Sequence, residues 1–491
     1  MQNGCLISSS AAALLLGLTA AAAEPPAPVD PPRRYEQILE IDLEGDTAAL
    51  DLSIAPVYDA REWAFSARWD DCNLNSLTMR EHMARVGLKG TFYLTQNDKA
   101  DRFGPAFCRQ LMQDGCSIGG HSMTHPRLTE LSAGQIWWEL CANRINREDD
   151  TDTTLNSLAF PYGLFRDDAR PEAFPIITEA VRRAGYHHCV YATFVRDNPH
   201  LAPGECSTSW QVVPGDRVVD AEAFAAQLAK PVERWPESYR KLSHGLHLGV
   251  HPWQQGEEWA KLDAVFQTIA GRPEWWYCSL TEWAAYARQA ATARLQIDTA
   301  SSTATRRRVV ITRAHPGDLG DAVPLTCLAR GTAVRAARLD GQPIDLRRQG
   351  DATILNLPHR PSLSPPRRVG HIEIPAEADT ADARRDGADF PGLRATILTE
   401  AGRLTLTLEA PATADLSDIH VRFRLPLAFQ PGVVTCTATA LPAGQAIALT
   451  ADLPAPHPDP AWTAGPRYWV AEINATLAQE PIRLFVTRLQ P

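Results

Sequence analysis

Ala64-Phe65-Ser66-Ala67-Arg68-Trp69-Asp70-Asp71 is a largely apolar run that closes on two adjacent carboxylates. It reads as a buried strand emptying into a loop. Outward from it the chain alternates. Leu74 to Val86 reads as a helix, and Gly90 to Thr95 as a second strand, rich in β-branched and aromatic residues. Pro105 to Gln113 is helical with Gly115 as its stop, and Cys116 to Gly119 makes a third strand. Ser132 opens a helix, and Gln135 completes a capping box three residues on. Further strands fit at Leu158 to Pro161, His188 to Thr193, Gln211 to Val213, Leu246 to Val250 and Trp276 to Ser279, before a helix through Glu282 to Arg288. The alternation predicts an α/β fold, a parallel sheet with crossover helices. About seven or eight units in roughly 230 residues predict an irregular (β/α) barrel, with reactive groups at the strand C-termini.

The pattern changes after about Ala293. Arg308 to Thr312, Ala352 to Leu357, His371 to Ile374, Leu404 to Leu408 and Ile419 to Leu425 read as strands punctuated by turn residues. They predict a β-rich, sandwich-like C-terminal region of one or two modules, with Thr299 to Thr305 as a linker. The expected division is residues 1–23 signal peptide, 24–60 linker or extension, 61–292 catalytic barrel and 293–491 β-rich region.

The signal peptide rests on Ala11 to Ala23, apolar and rich in small residues, with Ala21-Ala22-Ala23 as an A-x-A cleavage site before Glu24. It predicts export, to the periplasm or beyond. No Lys or Arg precedes it, and Cys5 stands before rather than after it, which argues against a lipid-anchored cysteine. The stretch is too short to span a bilayer, and no other segment is long and apolar enough. Pro25 to Pro32 reads as a Pro-rich linker. With 491 residues the chain exceeds a single core. Its net charge of -10 gives no electrostatic reason to expect a nucleic-acid partner. The short cluster Arg306-Arg307-Arg308 reads as a solvated strand entry. Cys108 and Cys116 are the easiest cysteines to imagine paired, with a role as small buried residues at least as well supported. The absence of C-x-x-C argues against a thiolate zinc site.

Four segments carry chemistry. Asp70 and Asp71 can divide roles, one carboxylate binding a cation while the other stays free as a general base. The bland alternative is a solvated pair opening a loop. In Gly119-Gly120-His121-Ser122-Met123-Thr124-His125-Pro126, two imidazoles four residues apart sit where a strand runs into a turn. With one carboxylate they make three protein ligands, leaving a position open for water, as in catalytic zinc sites. Leu158-Ala159-Phe160-Pro161-Tyr162-Gly163 and Leu246-His247-Leu248-Gly249-Val250-His251-Pro252 are apolar strands ending in polar or aromatic groups, and each also reads as plain core followed by a turn.

Taken in order, these segments resemble the polysaccharide deacetylase (chitooligosaccharide deacetylase-like) family. Its Thr-Phe-Asp-Asp-Gly motif stands here as Arg68-Trp69-Asp70-Asp71-Cys72, and its His-Ser/Thr-x-x-His-Pro motif is matched in full by His121 to Pro126. The resemblance implies that Asp71, His121 and His125 hold a divalent metal, zinc foremost. It implies Asp70 as general base, the backbone N–H of Tyr162 as oxyanion donor and His251, rather than His247, as general acid. The substrate implied is an acetylated polysaccharide or oligosaccharide. The family's third motif often begins with an Arg that orients the base; here that position is Ala159, as in a subset of the family, and Cys72 replaces a Gly. Trp253 is placed to stack on a sugar, Trp210 is a weaker candidate for the family's groove aromatic, and Trp137, Trp138, Trp275 and Trp276 read as core. Two other readings stay open: a hydrolase of a non-glycan amide on the same barrel, and a non-catalytic glycan-binding protein. The oligomeric state is not legible.

Overall fold

The computed structural model describes residues 32–491 apart from Asp46, Cys72 and residues 97–102, 192–193, 195–196, 199–200, 202–205, 211–217, 229–244, 254–255, 366–367 and 378–384. The expected signal peptide, most of the Pro-rich linker, the strand at 211–213 and Cys72 therefore lie outside the described residues, as do the side chains of Trp210 and His247.

Within residues 24–60, expected as a linker or extension, the chain forms strands β1 (Arg34–Leu43) and β2 (Asp51–Ile54), so that part is not linker. In β1, Leu39, Ile41 and Leu43 alternate at period two and are fully buried or nearly so. Their partners come only after the parallel sheet is complete.

That sheet is built from β3 (Trp63–Asp70), β4 (Gly90–Leu94), β5 (Ser117–Gly120), β6 (Ser157–Leu158), β7 (His188–Cys189), β8 (Cys206–Trp210), β9 (Gly245–Val250) and β10 (Trp275–Tyr277). The order is β7-β6-β5-β4-β3-β9-β8, every pairing is parallel, and β10 joins the start of β3. Every residue of β3 is buried, as a central strand covered on both faces requires. Among the described residues β7 and β8, at the two ends of the order, are not paired, so the expected barrel is seen as an open parallel sheet. Helices α1 (Asn75–Ala84), α2 (Pro105–Leu111), α3 (Ala133–Thr151) and α4 (Ala173–Ala184) lie between strands. The capping box read from Ser132 and Gln135 is formed at the start of α3. No described helix is long and apolar enough to cross a membrane.

Next come β11 (Arg294–Ile297), β12 (Arg306–Ala314), β13 (Leu325–Arg330), β14 (Val334–Leu339), β15 (Gln342–Ile344), β16 (Leu346–Gln349) and β17 (Ala352–Leu357). One sheet runs β11-β12-β1-β14-β15 and the other β16-β17-β13-β2. Their inner faces share one core of Leu39, Ile41, Val309, Ile311, Cys327 and Leu355. The parallel sheet is thus inserted between the second and third strands of a β-sandwich. Residues 299–305, expected as a linker, turn the hairpin from β11 to β12, with the Asp298 N–H donating to Arg308 O and the Thr303 N–H to Arg306 O. Of the basic cluster, Arg306 pairs with Asp42 at 2.6 Å and Arg308 with Asp298 at 3.1 Å.

A second sandwich follows, from β18 (Arg368–Ile374), β19 (Arg385–Gly387), β20 (Phe390–Glu400), β21 (Arg403–Glu409), β22 (Leu416–Arg424), β23 (Val433–Leu441), β24 (Ala446–Asp452), β25 (Arg467–Leu477) and β26 (Glu480–Gln490). It is fused to the parallel-sheet module. Val369, Leu427, Tyr468, Val470 and Phe485 pack into one apolar cluster with α3 and α4. The Trp137 indole N–H donates to Tyr468 O at 2.7 Å, and buried Arg483 pairs with buried Glu148 at 2.7 Å. Trp137 and Trp275 are buried as expected, while Trp138 and Trp276 are half-buried. Cys108 and Cys116 are separate buried thiols with no disulfide between them, each pushed up to about 11 by burial.

Candidate metal centre

The site forms where β3, β5 and β9 end. β3 delivers Asp70 and Asp71, the turn after β5 delivers His121 and His125, and the residue after β9 is His251. Asp71 Oδ1 lies 3.3 Å from His121 Nε2 and 3.2 Å from His125 Nε2, and its Oδ2 lies 3.7 Å from His251 Nε2. One donor atom each from Asp71, His121 and His125 falls within 4.8 Å of the others. Burial opposes the charge on Asp71, but hydrogen bonds from the two imidazoles outweigh it and hold this carboxyl well below the ordinary carboxylate range.

The ring of His121 is oriented from behind. Its Nδ1 lies 2.8 Å from the carbonyl oxygen of Ala159, so Nδ1–H donates there and Nε2 is the nitrogen turned towards Asp71. The backbone is bent to bring these groups together. Asp71, Ser122, His125 and Tyr162 all hold positive φ, between 58° and 65°, an arrangement that costs about 1–3 kcal/mol each for non-glycine residues and clusters at functional sites. Two imidazoles and a carboxylate, one imidazole braced by a carbonyl, fit a zinc-type cation with an open position.

Asp70 is not one of this trio and is tied down separately. It is buried, and Arg68, two residues earlier on the same face of β3, grips it with Nε at 2.8 Å and with Nη2. The same Nη2 donates to the Tyr191 hydroxyl at 2.9 Å, and that hydroxyl donates to Phe160 O at 3.1 Å. Burial would push Arg68 down, yet Asp70 and Tyr191 outweigh it and hold it above its ordinary value. Arg68 and Tyr191 are the residues that reading the sequence missed. The i, i+2 spacing of Arg68 and Asp70 was the available signal.

Aromatic rings flank the trio. Tyr162 is exposed and meets His125 edge-on at 4.7 Å, with the Arg127 guanidinium 5.5 Å from its ring. On the other side Trp253, also exposed, stacks on His251 at 4.0 Å. Burial holds the His251 imidazole below its ordinary value, against the pull of Asp71 and Asp70. A cavity of about 660 Å³ lies elsewhere, lined by Arg33, His315 and His420 among others. Among the described residues it holds no comparable ligand set, so donor chemistry rather than cavity size places the site.

Residues 68–175 match the family model described as polysaccharide deacetylase, a span of less than a quarter of the chain that contains Asp70, Asp71, His121, His125 and Tyr162. The chain is similar to that family, as its motifs imply. No curated protein matches it. Similar solved structures include the Xyl-CE4 domain of a multidomain xylanase from the hindgut metagenome of Trinervitermes trinervoides, at 12% identity over 45% of this chain and 89% of that one with a TM-score of 0.32. A family 4 carbohydrate esterase from Streptomyces lividans in complex with acetate shows 16% identity over 45% and 93%, TM-score 0.30. The peptidoglycan deacetylase PdaC from Bacillus subtilis shows 13% over 47% and 92%, TM-score 0.29.

Proposed function

We propose that this chain is a metal-dependent hydrolase that removes acetyl groups from an acetylated polysaccharide or oligosaccharide. The observation that carries the reading is a three-ligand cluster, Asp71, His121 and His125, beside a carboxylate, Asp70, that is not part of it. A divalent cation held by Asp71, His121 and His125, zinc by the donor set, would supply Lewis acidity towards the acetyl carbonyl and would acidify water.

The chain's own groups do the rest. Asp70, held by Arg68, takes the proton of the attacking water. The backbone N–H of Tyr162 meets the developing oxyanion. His251 gives a proton to the departing amine or alkoxide; its lowered affinity for that proton makes it the stronger acid once charged. Trp253 and Tyr162 provide faces on which a pyranose ring can stack. A protein that only bound glycans would have no use for a buried, arginine-held carboxylate beside its ligands. We place the reaction outside the cytoplasm on the strength of the N-terminal apolar segment.

The test is acetate release from acetylated glycans by purified protein, with chelator and zinc add-back, beside Asp70→Asn and His121→Ala. Release that needs metal and is lost in both variants supports the reading. Normal biological activity in Asp70→Asn overturns it in favour of a binding protein.

A further inference from the structure

We propose that Arg68 and Tyr191 form a brace that fixes the Asp70 carboxylate and the Phe160–Gly163 turn in one geometry, both serving as positioning residues. The inference deepens the deacetylase reading and rests on it.

A guanidinium that is 6% exposed inside a fully buried strand is costly to desolvate, and the cost needs a partner set to offset it. Two of those partners are functional. Arg68 presents two of its nitrogens to Asp70, a geometry a lysine cannot reproduce. Its Nη2 also reaches Tyr191 Oη at 2.9 Å, with the guanidinium 4.9 Å from the Tyr191 ring centroid. Tyr191 in turn donates to Phe160 O at 3.1 Å.

The next link lies in the backbone. Phe160 follows Ala159, whose carbonyl accepts from the ligand His121. Two consecutive carbonyls therefore tie the turn to the site, one to a metal-ligand imidazole and one, through Tyr191 and Arg68, to the base. That turn carries Tyr162 at φ 58°, a conformation that persists only when its surroundings hold it. Where position 159 would otherwise offer an arginine, this chain has Ala159 at 0% exposure, and the cation comes from β3 instead. The brace reaches neither the trio nor the acetyl group; it acts through Asp70 and the turn.

The test uses full-length protein, zinc-loaded, with steady-state acetate release, metal content and hydrogen exchange at residues 160–163. Displacing a base or oxyanion donor by about 1 Å costs on the order of a hundredfold. Arg68→Ala is expected to lose about that much kcat, with KM changed less than about threefold and metal retained. Guanidinium at millimolar concentration is expected to restore part of the loss, and Arg68→Lys to stay at least about tenfold down. Tyr191→Phe keeps the fold and is expected to cost about five- to tenfold in kcat while speeding exchange in the turn. Wild-type kcat in Tyr191→Phe with unchanged exchange, or a fully active Arg68→Lys, overturns the brace. Should the wild-type protein release no acetate, the deacetylase reading fails first, and exchange in the turn of Tyr191→Phe decides the brace alone.

Discussion

Trp253 lies flat on His251, ring centroids 4.0 Å apart and planes within 8° of parallel. The indole, 41% exposed, covers one face of the imidazole. A stacked indole fixes the orientation of the ring. Trp253→Ala is expected to raise KM about tenfold and to lower kcat as the imidazole loses its platform, whereas Trp253→Phe keeps most activity. Acetate-release kinetics across an oligosaccharide length series check this. Equal KM in both variants would remove Trp253 from the substrate site.

Metal binding can be tested apart from catalysis. The three donors hold their arrangement through the Ala159 carbonyl behind His121 and the hydroxyl of Ser122, which accepts from the His125 N–H at 3.2 Å. Removing one of three ligands is expected to abolish stoichiometric metal, so His121→Ala and Asp71→Asn should each purify with far less than one zinc per chain, while Asp70→Asn retains it. Metal analysis after dialysis against chelator-treated buffer decides. A metal-free Asp70→Asn would mean that both carboxylates are ligands.

Much of this site was legible because its residues sit at the ends of strands with strong local signals. Gly90 to Thr95 and Cys116 to Gly119 contain the observed β4 and β5 to within a residue, and Ser132 and Gln135 marked the start of α3 correctly. What stayed hidden depends on distant partners. Strand β1 pairs Arg34 with Ala314, and nothing near residue 34 announces a partner so far along the chain. The insertion of one module into another was invisible for that reason. Arg68 has no role assigned to it in the sequence because Tyr191, which completes its surroundings, lies 123 residues away. The turn at 299–305 resembled a linker because polar hairpin tips and linkers share a composition.

The seam between α3 and the second sandwich carries a pH dependence. Asp149 is pushed up to about 7, chiefly by burial and then by the carboxylates of Asp389, Asp150 and Asp152. A carboxyl raised in the folded state binds more protons folded than unfolded from about pH 4 to about pH 7, so its contribution to stability falls as pH rises through that window. Asp149→Asn is expected to melt higher than wild type above about pH 8 and to match it near pH 4. Thermal unfolding at the two pH values checks the sign. A variant that melts lower at both would show that Asp149 stabilises as the anion.

Gly249 is the residue that lets β9 lie close enough to β3 for His251 to reach the site. Its φ is 129°, and a Cβ there would stand 2.0 Å from the carbonyl oxygen of Arg68. Both strain and backbone clash act on Gly249→Ala, and β3 cannot yield because it is buried along its whole length. The expected cost exceeds about 3 kcal/mol, with activity lost even in the fraction that folds. Denaturant unfolding and acetate release measure the two effects. Wild-type behaviour in both would mean that the two strands separate freely at this point.

The second sandwich is expected to be indispensable to folding, and this changes how any role on a polymer must be tested. Ending the chain near Ala293 would strip β1 of both neighbours, β12 and β14, and β2 of β13, leaving unpaired strand edges and uncovering Leu39 and Ile41. Ending it before β18 would keep the first sandwich but uncover Trp137 and the outer faces of α3 and α4. It would also leave Glu148 without Arg483, and Arg183 without the carbonyls of Leu425 and Pro426 that it donates to. Glu148 keeps Arg144 and Arg183 keeps Glu179, so it is the uncovered apolar surface that decides, and either truncation is expected to aggregate. Soluble yield and light scattering of a chain ending near residue 365 check this. If that shorter chain is monodisperse and releases acetate as the full chain does, the seam is dispensable, and the second sandwich can be assigned to polymer binding by deletion. If it aggregates, that role has to be sought by substitutions on the exposed strands β23 and β24, with the seam left intact.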